Sequence, residues 1–128
     1  MKITLTPDQR APREARSFVS TQLAGSPLPV DVAPADVTLI ASELVTNAVI
    51  AGAAFLELTL TVSRRQLDLI VEDDARGWPV AAPASDDATR GRGLGIVEQV
   101  SDRWHVTRTR RGKRVTATWF APGALALE

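Results

Sequence analysis

The chain has 128 residues, 45% of them apolar and 23% charged, and its fifteen basic side chains balance fifteen acidic ones. These proportions suit one globular domain, 1–128, rather than a disordered, fibrous or membrane chain, and neutrality gives no ground for tight binding to nucleic acid. With no cysteine and one histidine, His105, the chain lacks material for zinc sites, thiol catalysis or Ser-His-Asp hydrolysis.

In chain order, alternation at Ile3 and Leu5 predicts a short first strand. The opening "MKITLTPDQR" has none of the parts of a signal peptide, and no apolar run approaches the ~18 residues of a membrane span, so a cytoplasmic protein without membrane contact is expected. A helix follows from about Pro12 to Leu23, with Ala15, Phe18, Val19 and Leu23 on one face. A second begins near Asp31 or Ala33, with Pro34 suited to its first turn, and ends near Gly52. Its apolar stripe is Val37, Ile40, Ala41, Leu44, Val45 and Ala48.

Two strands then alternate, "FLELTLTV" through Leu56, Leu58, Leu60 and Val62, and "LDLIVED" through Leu67, Leu69 and Val71, with "SRRQ" as a hairpin turn. A glycine-led helix from about Leu94 to Val100 and a closing strand pair, "WHVTRT" and "RVTATWF", complete the series. Helices segregated from hairpin-linked strands imply an α+β sandwich, its sheet antiparallel or mixed and covered on one face by helices.

Three constellations carry possible chemistry. In "ASELVTNAVIAG", Glu43 and Asn47 lie one helical turn apart at the margin of the apolar stripe. A carboxylate and a carboxamide so placed suit Mg²⁺ ligation and activation of a hydroxyl, or are simply a surface hydrogen-bonded pair. In "VEDDARGWP", a strand ends in acidic residues. Asp73, held at a buried strand end, suits an exocyclic amine such as that of adenine, with Gly77 admitting a flat ring; the alternative is an ordinary acidic turn.

In "GRGLGIVEQV", glycines 91, 93 and 95 precede and enter a helix whose free N–H groups favour an anion, although the spacing is neither that of a Walker loop nor of a Rossmann fingerprint. Arg90 and Arg92 either reach phosphate oxygens or remain solvated. Gly95, one turn inside, is expected to serve helix packing.

Taken in order, "SELVTNAV", "DDARGWP" and "GRGLGIVEQVSDRW" resemble the N, G1 and G2 boxes of the GHKL ATPase superfamily. They are most similar to its anti-sigma regulatory factor branch of small serine/threonine protein kinases, over roughly Phe18 to Phe120. The resemblance implies a Bergerat fold, a two-layer α/β sandwich with a mixed, mostly antiparallel sheet. It implies ATP and Mg²⁺ as cofactors, Glu43 as general base, Asn47 as the Mg²⁺ ligand, Asp73 at the adenine amine and Gly77 beside the ring. Residues 80 to 92 would form an ATP lid, and Arg90, Gly91, Arg92, Gly93 and Leu94 would meet the phosphates. The implied activity is phosphoryl transfer to a serine of an anti-sigma factor antagonist of STAS type, with separate sequestration of a sigma factor. Relatives commonly dimerise, so a homodimer is a further implied assembly.

The chain departs from that pattern in places. Ile50 and Ala51 stand where many relatives carry a basic residue and a histidine, and Ala75 replaces a glycine or serine. A threonine frequent after the last hairpin glycine corresponds to Arg114. The first departure favours an alternative reading, a nucleotide-gated module that regulates a partner without phosphoryl transfer. The basic hairpin of Arg108, Arg110, Arg111, Lys113 and Arg114 raises nucleic-acid binding as a third reading, against a solvated tip that discourages strand-edge pairing. No direct nucleic-acid contact is expected. His105, Trp78 and Trp119 read first as structural residues.

Overall fold

The computed structural model describes residues 1–25, 28, 32–76 and 92–122, without the side chains of residues 92–94. Its elements are β1 (Lys2–Thr4), α1 (Ala11–Ala24), α2 (Pro34–Ile50), β2 (Leu56–Val62), β3 (Gln66–Asp73), α3 (Arg92–Val100), β4 (Arg103–Arg108) and β5 (Lys113–Phe120). All eight were expected from periodicity, and their ends shift by a residue or two. α3 begins at Arg92, so Arg92 and Gly93 join its first turn.

Local chemistry explains several boundaries. Pro34 opens α2, where its missing N–H costs nothing because first-turn amides have no partner within the helix. α2 ends before Gly52, whose φ of 86° is a left-handed conformation that glycine adopts without steric cost. In the turn between β2 and β3, the Ser63 hydroxyl accepts from the backbone N–H groups of Arg65 and Gln66.

The five strands form one sheet in the order β1-β2-β3-β5-β4. Every pairing among them is antiparallel, so the antiparallel form is the one observed. Leu56, Leu58 and Leu60 of β2, and Leu67, Leu69 and Val71 of β3, are almost wholly buried beneath the apolar stripes of α1 and α2. Each such side chain contributes roughly 1.5–3 kcal/mol on leaving water. The opposite face is partly covered by side chains of the sheet itself. Thr118 donates to Asp68 at 2.6 Å, and the Arg103 guanidinium lies 5.1 Å from the Phe120 ring centroid.

Trp119 is buried as expected, and its indole Nε1 donates to the Val100 carbonyl at 3.0 Å, tying β5 to the end of α3. His105 is exposed on the edge strand β4 and takes no part in the core. The topology has one consequence for the site. β5 enters the sheet beside β3, so the start of β5 lies against the end of β3, 40 residues away in sequence.

Candidate functional site

The inward alternation of β3 continues past Val71 to Asp73. Its carboxylate therefore points to the helix-covered face and is 4% exposed. Oδ1 accepts from the backbone N–H of Ala75 at 2.8 Å and from Nζ of Lys113 at 2.7 Å. Lys113 also donates to the Ala75 carbonyl at 3.3 Å. The two side chains stand directly opposite each other in the β3–β5 register. Separating such a buried pair leaves an uncompensated charge, at a cost of about 3–5 kcal/mol.

Sequence reasoning placed Lys113 in a basic hairpin tip and missed this role. One signal was present: Val115, Ala117 and Trp119 alternate inward, and the same alternation extended back reaches Lys113. Arg114, matched above to the threonine frequent after the last hairpin glycine, does not face this corner. It lies on the other face of the sheet, opposite Glu72, and pairs with that carboxylate at 3.0 Å. The residue that follows Gly112 and faces Asp73 is Lys113.

Two neighbours hold this corner. A Cβ on Gly112 would fall 2.3 Å from the Asp73 carbonyl oxygen and 2.8 Å from the Asp74 Cα, so only a glycine permits the hairpin to approach this closely. Asp74 turns the other way. Its Oδ1 accepts from the backbone N–H groups of Ala54 and Phe55 at 2.8 and 2.9 Å, tying the end of β3 to the start of β2. The Phe55 amide, then that of Ala54, holds the Asp74 carboxyl below its ordinary pKa.

Glu43 and Asn47 are half-buried on α2, as their place at the stripe margin predicts. Among the described residues their side chains hydrogen-bond neither each other nor any other group, which does not match the surface hydrogen-bonded pair offered as the alternative. α2 packs against both β3 and α3. The helix carrying Glu43 and Asn47 thus touches the strand that ends in Asp73 and the helix whose first turn is Arg92, Gly93 and Leu94. Gly77, Arg90 and Gly91 lie outside the described residues. Among the described residues nothing lies within 4 Å of a Cβ placed on Gly95. Ile50 is exposed at the end of α2, and Ala51 follows it, also exposed.

Among the described residues no group of three or more acidic or histidine side chains gathers into a metal cage. The basic hairpin is largely committed internally. Lys113 and Arg114 are ion-paired, and the Arg111 guanidinium sits 4.1 Å from the Phe55 ring centroid, a cation–π contact.

An open antiparallel sheet of five strands with helices packed on one face is the two-layer sandwich of GHKL-type ATPases, the Bergerat fold. Residues 5–119 match the family described as the histidine kinase-like ATPase domain, and the chain belongs to that family. No curated protein matches the sequence. Among solved structures the chain is similar to the RsbU and RsbW domains of Rv1364c from Mycobacterium tuberculosis, with a TM-score of 0.68 and 20% identity. That likeness covers 93% of this chain and 31% of the other, so this chain spans about a third of its length.

Proposed function

We propose that this protein is an ATP-binding anti-sigma regulatory factor that phosphorylates a serine of an anti-sigma factor antagonist of STAS type. The observation that carries the reading is the pair Glu43 and Asn47, half-buried and with no side-chain partner among the described residues, on the helix that packs against both β3 and α3. Membership of the histidine kinase-like ATPase family and the resemblance to a structure containing an RsbW domain support it.

Bound Mg-ATP would supply the γ-phosphoryl group. Asn47 would hold the Mg²⁺ through its side-chain oxygen, while Asp73 would accept from the adenine amine and Gly77 would leave room for the ring. Backbone amides from Gly91 to Leu94, with Arg90 and Arg92, would face the phosphates at the positive end of α3. Glu43 would take the proton of the serine hydroxyl as the serine oxygen bonds to the γ-phosphorus and the bond from that phosphorus to the β–γ bridging oxygen breaks, with ADP as the leaving group. Such transfer asks the protein chiefly for positioning and charge stabilisation.

The test is incubation with Mg-ATP and the cognate antagonist. Wild-type protein is expected to phosphorylate it, and Glu43→Ala to reduce transfer by roughly 10²-fold or more, the scale of a lost general base. Transfer persisting unchanged in the variant would remove Glu43 from the reaction. The second reading, nucleotide-gated binding without transfer, is favoured by the apolar Ile50 and Ala51 at the end of α2. ATP binding without any phosphorylated partner would select it.

A further inference from the structure

Lys113 and Asp73 form a buried ion pair at the strand end where the ATP-binding reading puts the base. Pulling the ammonium away would strand two charges out of water, and a single hydrogen bond from an amine does not compensate for that. A base arriving at Asp73 therefore meets the pair rather than a bare carboxylate. We propose that Lys113 is a base-specificity residue: with Asp73 it makes a donor–acceptor pair that reads two adjacent atoms of adenine. The proposal rests on the ATP-binding reading above.

The hydrogen-bond inventory supports it. An ammonium has three N–H groups. One goes to Asp73 Oδ1 and one to the Ala75 carbonyl, leaving a third with no described partner. A carboxylate accepts more bonds than the two that Oδ1 receives. A base reaching the pair would thus be offered acceptor capacity from Asp73 and one charged donor from Lys113. Adenine presents the complement, an exocyclic amine at position 6 that donates and N1 that accepts. Guanine presents the reverse order, a carbonyl at position 6 and an N–H at position 1. The residue before Lys113 keeps the pair in place, since the close approach of Gly112 to the Asp73 and Asp74 backbone fixes the start of β5 against the end of β3.

Calorimetric titration of wild-type protein and Lys113→Met with Mg-ATP, Mg-GTP and 1-deaza-ATP, which lacks the N1 acceptor, tests the assignment. Wild-type protein is expected to bind ATP about tenfold or more tightly than 1-deaza-ATP, as a hydrogen bond to a charged donor implies. K113M is expected to bind ATP and 1-deaza-ATP alike. Equal affinity of the wild-type protein for the two would overturn the proposal without any variant, so the result does not depend on K113M folding. Tighter ATP binding by K113M than by wild type would also overturn it, because Lys113 would then only obstruct Asp73. In either case ATP still binds and the nucleotide reading stands. Failure of wild-type protein to bind any of the three nucleotides would instead overturn that reading, and this inference with it.

Discussion

Asp73 and Asp74 are neighbours in sequence with opposite assignments. Strand alternation turns Asp73 inward to Lys113, and Asp74 toward the backbone of the α2–β2 connection. Both charges are compensated, but by different means, a side-chain ammonium in one case and two amide dipoles in the other. The second arrangement gives a pH dependence. The folded-state pKa of Asp74 lies below its ordinary value near 3.8, so the unfolded chain takes up the proton first. Its stabilising contribution is then complete above that value and fades as the pH falls through the folded pKa. Urea denaturation of wild type and Asp74→Ala at a series of pH values is expected to show a stability difference that is largest near neutrality. Below about pH 4, the ordinary range of an aspartate, the difference should shrink. A difference constant from pH 7 to pH 3 would show that ionisation of Asp74 contributes nothing.

At the level of elements, the β4–β5 hairpin is positioned by Gly112 as much as by its strand pairing. The atoms that a Cβ would strike there belong to the backbone of β3 and its continuation, which no rotamer change can move. Gly112→Ala is expected to cost about 1–3 kcal/mol, the scale of overpacking, and to weaken nucleotide binding because Asp73 and Lys113 shift together. Guanidinium denaturation beside a binding isotherm checks both effects. The elements themselves were legible in the sequence, since β2 and β3 alternate cleanly and α2 carries an unbroken apolar stripe. The start of α3 was less so: glycines have low helix propensity, which put the expected start at Leu94 where the helix begins at Arg92.

For the whole molecule, ligand linkage provides the simplest measurement of the nucleotide reading. A ligand bound only by the folded state stabilises it by RT ln(1 + [L]/Kd), about 2.7 kcal/mol at a hundredfold excess over Kd. Mg-ATP is therefore expected to raise the melting temperature by several degrees, Mg-GTP to raise it less, and Asp73→Asn to remove the ATP effect. A shift that survives Asp73→Asn would place base recognition elsewhere. Among the described residues no helix is long and apolar enough to cross a membrane.

The amino-acid sequence by itself determined the α+β class, the eight elements and the inward position of Asp73, because periods of 2 and 3.6 report which side of an element faces the core. It also determined that Glu43 and Asn47 share a helix margin, a matter of spacing alone. The partner of Asp73 was a different kind of question. Lys113 is 40 residues away, and its sequence neighbours suggested a solvated basic tip. Only the insertion of β5 beside β3, with register set by core packing and the close approach at Gly112, brought the ammonium to the carboxylate. Local pattern encodes burial, but the pairing of two buried charges depends on which strands become neighbours, and that is decided by the packing of the whole chain.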